Sequence, residues 1–256
     1  MNRLVKDKNL LLKKIMKKII KPLYNILKKY YLDFQKRLDE RRQFVFYKKL
    51  IGNNKLVFDV GANVGIKTDL FNKLGNKVVA IEPQGYCYEI LKDKFKNNSG
   101  VKIINKGAGS KTGKSILYTS TKYRGFSSLK EGWQKGTKYD SFDGKEIIEL
   151  TTLENLITEY GLPYFCKIDV EGFELEVLNG LQSKIPCLNF EFHGDLFNLI
   201  KECLKRLDEL GYKLFNYIEG EGNFKIKKWV TMIDLINILG KKIKNNNQIW
   251  GDIYAK

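Results

Sequence analysis

Leu56-Val57-Phe58-Asp59-Val60-Gly61-Ala62-Asn63-Val64-Gly65 carries a short, mainly apolar run into two glycines four residues apart. A run of that length, closed by a glycine turn and followed by helix-compatible sequence, reads as a buried parallel strand leading into a helix. In such a unit Gly61 permits the tight turn and the small Ala62 lets a ligand approach the backbone. The helix N-terminus adds unpaired N–H donors. The spacing is Gly61-x-Asn63-x-Gly65, not the G-x-G-x-x-G of a dinucleotide cradle, and Asp59 stands two residues before the first glycine. A carboxylate there repels a pyrophosphate but suits a ligand bearing an ammonium group. The turn therefore favours S-adenosylmethionine over a nicotinamide dinucleotide.

Downstream, residues 77–81 (K-V-V-A-I) read as the next buried strand and end in Glu82-Pro83. That acid falls about 20 residues past the turn, where a carboxylate accepts the hydroxyls of a ribose. The alternating pattern continues with a helix over 85–97 and strands over 101–105 and 115–119. Residues 121–145 then lose periodicity and are rich in Gly, Ser, Lys and aromatics, including Tyr123, Phe126, Trp133 and Tyr139. Such a loop reads as a binding element, its aromatics a cover for a substrate. Thr152 caps a helix over 153–160, with Gly161 and Pro163 as stop signals.

Two polar strand ends follow. Residues 164–169 run into Val170-Glu171-Gly172 and a helix over 173–179, and residues 187–192 run into His193, the single histidine, before a helix over 196–210. Ligands gather beyond the carboxyl ends of parallel strands, so Lys167, Asp169, Glu171, Glu191 and His193 should share a rim with Asp59 and Glu82. Alternation puts Lys167 and Asp169 on one face and Cys166, Ile168 and Val170 on the other. Residues 212–218 and 248–254 read as two further strands around a helix near 229–239, with Trp229 and Trp250 expected in the core.

The 256 residues suffice for one α/β domain and an appendage, so the boundary is drawn at 50/51. Residues 1–50 hold 16 Lys+Arg against 4 Asp+Glu, that is +12 of the formal +17. Within them Leu11, Leu12, Ile15, Met16, Ile19, Ile20 and Leu23 recur at helical spacing with lysines between, a basic amphipathic helix that Pro22 should end or kink. The pattern resumes through Leu23, Ile26, Leu27 and Tyr30 toward a helix around 38–50. Lysines interrupt every apolar run, so a bilayer-spanning stretch of roughly 20 residues is not expected, nor a signal peptide. The expected location is the cytoplasm, and the extension suits three roles: peripheral contact with an anionic membrane through residues 1–30, packing against the domain or a second subunit, or nucleic-acid contact. Cys87, Cys166, Cys187 and Cys203 are too scattered for a zinc or redox motif and read as buried thiols of a reducing compartment.

At these residues the chain resembles the FkbM-type methyltransferases. The likeness rests on Phe58 to Gly65, on Ala80-Ile81-Glu82-Pro83, on Ser127-Ser128-Leu129, and on Lys167-Ile168-Asp169-Val170-Glu171-Gly172 with the helix after it. It spans about 55–215, and the long stretch between Leu129 and Leu150 departs from the family pattern. The resemblance implies a Rossmann-like α/β fold, a mostly parallel seven-stranded sheet flanked by helices, here with an N-terminal helical extension. It also implies S-adenosylmethionine-dependent methylation, mainly of hydroxyls on sugars and other natural products. By this likeness Asp59, Gly61, Ala62, Asn63 and Gly65 surround the methionine part of the cofactor, Glu82 takes the ribose, and Pro83 with Ala108 faces the adenine. Ser127 and Ser128, with Glu191, would then meet the acceptor.

Methyl transfer to oxygen needs an aligned acceptor, exclusion of water and a group to take the proton. His193 is the natural base near neutrality, with Asp169 and Glu171 to orient it or grip acceptor hydroxyls and Lys167 to tune a carboxylate. With one histidine and no paired aspartates, no metal is expected, a divalent ion on the same acids and His193 being the lesser alternative. Two other function classes stay open. A nucleic-acid methyltransferase would fit the charge but lacks the N/D-P-P-Y type of strand end, and a non-catalytic membrane-associated module would leave the rim acids unexplained.

Overall fold

Short, mainly apolar runs form strands buried on both sides at the centre of this molecule. The computed structural model describes residues 21–133, 142–220 and 222–256. In chain order the strands are β1 (Leu56–Val60), β2 (Lys77–Ile81), β3 (Val101–Ile104), β4 (Gly107–Ala108), β5 (Gly113–Thr119) and β6 (Ser127–Ser128). They continue with β7 (Gly144–Thr151), β8 (Phe165–Ile168), β9 (Cys187–His193), β10 (Phe215–Tyr217) and β11 (Trp250–Ala255). A seven-stranded sheet takes the order β10-β11-β9-β8-β1-β2-β3. Neighbours from β3 to β9 pair in parallel, and β11 runs antiparallel to both β9 and β10. The expected Rossmann-like methyltransferase architecture is the one observed.

Helices Ile66–Lys73, Gly85–Phe95, Leu153–Tyr160, Glu174–Asn179 and Phe197–Glu209 connect or flank these strands. Thr152 caps its helix as expected, accepting the Asn155 N–H through its side chain. One sheet face carries Phe58, Val60, Cys166, Ile168, Phe190 and Phe192 into the main apolar cluster. The opposite face packs Phe165 and Tyr254 against Tyr47 and Phe71. All four cysteines are buried free thiols.

The chain divides by its internal contacts into residues 1–45 and 46–256. The helix Lys21–Ile51 belongs partly to each. From Leu23 onward the pattern is a single helix to Ile51. The amphipathic run through residues 11–20 lies outside the described residues.

Three expectations need correction. Residues 121–145 are not wholly irregular, because β6 falls inside them and β7 begins at Gly144. With β4 and β5 these strands build a second sheet in the order β4-β7-β5-β6. Its strand β7 has Ile147 79% exposed beside a buried Ile148, so its two neighbouring isoleucines point to opposite sides and obscure the alternation. Trp250 is 49% exposed rather than in the core, since it opens β11 at the sheet rim. Trp229 is half-buried, its ring against Phe224 and under the Lys256 ammonium.

Candidate active site

The β1 turn approaches the end of β8 more closely than any side chain would allow. Gly61 has φ 78, and a Cβ there would lie 1.7 Å from the Asp169 carbonyl oxygen. Gly61 and Ala62 both donate their N–H to the Ile81 carbonyl, which ties the turn to β2. Asn63 follows at φ 51, a left-handed conformation that asparagine tolerates. Its side-chain amide donates to the Gly125 carbonyl at 3.0 Å, joining the turn to the segment between β5 and β6.

These contacts frame a cleft that is open to solvent. From the cofactor set proposed above, Gly61, Asn63, Glu82, Pro83 and Ala108 line it. Asp169, Glu171, Ser127 and Ser128 line the same cleft. Glu82 is buried and accepts two backbone N–H groups, from Asn63 and Gln84, each at 2.8 Å. Burial pushes its carboxyl up to about 7 against the pull of those donors.

Asp59, Ala62 and Gly65 stand behind the wall instead of lining it. Asp59 is fully buried, accepts Thr68 Oγ1 at 2.6 Å through Oδ2, and leaves Oδ1 without a hydrogen-bond partner. Gly65, at φ 75, lets the chain pass Leu91, whose side chain a Cβ would meet at 2.5 Å. The buried acid, the glycine approach and the rim carboxylate Glu82 fit S-adenosylmethionine, a cationic ligand with a ribose.

Register explains the polar layer under this cleft. Asp59, Lys167, Asn189 and Tyr254 pair across β1, β8, β9 and β11, so they share one face. One step further along that face Glu191 pairs with Asp252, beside Asp169. Lys167, 4% exposed, donates to Asp169 Oδ2 at 2.6 Å. Burial works against the Lys167 charge, but Asp169, Asp59 and Asp252 outweigh it and raise its pKa. Burial likewise pushes Asp169 up, and the Lys167 ammonium overcomes this, holding the carboxyl below its ordinary range. Lys167 is thereby committed to Asp169 and anchors it.

Glu171 sits at φ 53, its backbone carbonyl accepting Ser128 Oγ at 2.7 Å. Ser128 also accepts the Lys130 N–H, so its hydroxyl is occupied in holding Glu171. The acceptor group expected from sequence is thus divided: Ser127 and Ser128 face the cofactor-type cleft, while Glu191 and His193 line a small adjoining hollow with Trp133. Burial, with help from Asp169, pushes Glu171 up to about 8. Burial and the negative charges of Asp169 and Glu171 push Glu191 well above its usual value. His193 Nε2 lies 3.4 Å from Glu191 Oε2, and burial lowers the imidazole pKa, keeping it neutral at pH 7. Glu171, Glu191 and His193 each bring a ligand atom within 4.8 Å of the others, a spacing that would admit a metal ion.

Asp252 escaped the reading of the sequence, which takes Trp133 only as one aromatic of a cover for a substrate, with no tie to Glu171. Asp252 is a lone acid in an apolar strand, and only antiparallel pairing sets it opposite Glu191. Burial pushes it up to about 6. Trp133 donates its indole N–H to Glu171 Oε2 at 3.2 Å from a loop whose sequence shows no period.

The family description "Methyltransferase FkbM domain" matches residues 59–214. Methyltransferase sdnD of Sordaria araneosa is 30% identical over 162 residues, which cover 52% of this chain and 62% of that protein. The chain thus spans less than two thirds of that relative. Among solved structures, the METTL16 MTase domain is 13% identical, covering 84% of this chain and 66% of that one with TM-score 0.47. Precorrin 8w decarboxylase of Methanobacterium thermoautotrophicum is 12% identical, covering 85% and 89% with TM-score 0.45.

Proposed function

Since the chain belongs to the FkbM family of S-adenosylmethionine-dependent methyltransferases, we propose that it methylates a hydroxyl of a sugar, a glycan or a related small molecule. The observation that carries this reading is Glu171, which lines the cofactor-type cleft and also meets Glu191 and His193 within 4.8 Å. The His193 imidazole, a proton-accepting group, therefore adjoins the place where a methyl donor would lie. When bound, the cofactor supplies an electrophilic methyl carbon on a sulfonium.

Glu82 accepts the ribose hydroxyls, and the Gly61 to Asn63 turn bounds the methionine end. The neutral imidazole of His193 takes the proton that the acceptor hydroxyl loses as its oxygen gains the methyl. Asp169, kept ionised by Lys167, and Glu171 orient the acceptor through its other hydroxyls. Asp169→Asn and His193→Ala should each abolish turnover while leaving adenosylhomocysteine affinity within a few-fold, read by calorimetry. Full turnover in both variants would discard these roles.

Incubation with radiolabelled S-adenosylmethionine and a fractionated lysate of the source cells tests the acceptor class. Label in carbohydrate or glycolipid supports the reading, and label confined to nucleic acid replaces it. Nucleic acid is the weaker choice because +12 of the +17 formal charge lies in residues 1–50. A second reading keeps the reaction and adds a divalent ion on Glu171, Glu191 and His193, whose spacing favours it; the ion would acidify the bound hydroxyl. Loss of labelling on chelation, restored by magnesium or manganese, supports that reading.

We further propose that the basic N-terminal segment makes peripheral contact with an anionic membrane. In the helix Lys21–Ile51, the large apolar side chains between Leu23 and Phe34 are exposed, with Lys28 and Lys29 among them. Among the described residues, no helix is long and apolar enough to cross a membrane. Self-association through the same helix is the competing outcome.

A further inference from the structure

Trp133 reaches the site from the segment between β6 and β7 and touches it at three points. Its indole N–H donates to Glu171 Oε2 at 3.2 Å, and its ring meets His193 edge-on with centroids 5.5 Å apart. The third contact is with Gly172, where a Cβ would lie 2.1 Å from the six-membered ring. That glycine therefore answers two demands, a φ of 92 and room for the indole. Lys130 Nζ stands 5.6 Å from the ring centroid. With Gly172 against it and Lys130 over it, the indole acts through its neighbours and not as a stacking surface for an acceptor.

Glu171 needs such a neighbour. Its backbone is in a left-handed conformation, held from one side by Ser128 Oγ, and its long side chain would otherwise sample several rotamers at the junction of cleft and hollow. We propose that Trp133 is a positioning residue that sets the acceptor side of the reaction by fixing the Glu171 carboxyl. This rests on the methyltransferase reading above and adds to it a role for Trp133. A group displaced by about 1 Å in a reacting site costs on the order of 100-fold in rate. Loss of one anchoring N–H should thus be visible in turnover and not in cofactor binding.

Trp133→Phe keeps the apolar bulk and removes the N–H. Measured on whichever labelled fraction the wild type methylates, it should lower kcat by about 10- to 100-fold and leave adenosylhomocysteine affinity within about threefold, which also reports folding. Trp133→Phe combined with Glu171→Gln should be no slower than Glu171→Gln alone, because both act on one contact. The protein has three tryptophans, so a Trp229→Phe/Trp250→Phe background makes Trp133 the only indole, and Glu171→Gln should then change its emission. Wild-type turnover in Trp133→Phe, independent multiplication of the two effects, or an unchanged emission would overturn the proposal. Should the wild type transfer no label at all, the methyltransferase reading falls instead, and the emission measurement still decides whether Trp133 senses Glu171.

Discussion

Glu82 holds two backbone N–H groups and yet is pushed up to about 7, because burial costs its charge more than those donors return. A ribose donates its hydroxyls to the ionised form, so binding should release a proton whenever the pH lies below that value. Adenosylhomocysteine affinity should therefore rise between about pH 6 and pH 8 in calorimetry, and Glu82→Gln should weaken it and flatten the profile. An equally steep profile in the variant would remove Glu82 from the ribose. For stability the sign is opposite: the folded state holds this proton more tightly than the unfolded chain. Its contribution is present below the unfolded value of 4.5 and fades as pH rises toward about 7. The place of Glu82 was legible from its distance to the glycine turn. The inward orientation of Asp59 toward Thr68 was not, because alternation names a face without naming the partner on it.

At the scale of elements, the turn after β1 and the end of β8 share one contact, and Gly61 is what permits it. Gly61→Ala places a Cβ 1.7 Å from the Asp169 carbonyl at a φ of 78. It should destabilise the fold by about 1–3 kcal/mol or more and abolish adenosylhomocysteine binding, read by thermal unfolding and calorimetry. Gly85→Ala is the control, since its Cβ meets nothing nearer than Glu146 Oε2 at 3.7 Å; it should bind as the wild type does. Equal behaviour of the two variants would disprove the close-approach argument. The buried parallel strands were legible because burial on both faces demands continuous apolar residues. The small sheet was not: β7 pairs residue by residue with β5, but Lys145, Glu146 and Glu149 give it a polar, partly exposed surface.

Over the whole molecule, charge and chemistry separate: most of the net positive charge lies in residues 1–50, whereas the carboxylates gather on strands of the second unit. Co-sedimentation with vesicles rich in anionic lipid should retain the full chain at low salt and release it at high salt, since surface attraction is screened. Vesicles of neutral lipid should retain less. Absence of binding to anionic vesicles at low salt, with a dimer in solution, would assign the helix to self-association. By itself the sequence determined the succession of strands and helices along the Rossmann-like part of the chain and the spacing of Gly61, Asn63 and Glu82, because these follow from local periodicity and fixed offsets along one chain. Only the tertiary structure decided that Lys167 serves Asp169, that Asp252 faces Glu191, and that Trp133 rests on Gly172. Those contacts join residues 2 to about 60 positions apart, and they depend on register and on a loop whose path no local pattern encodes.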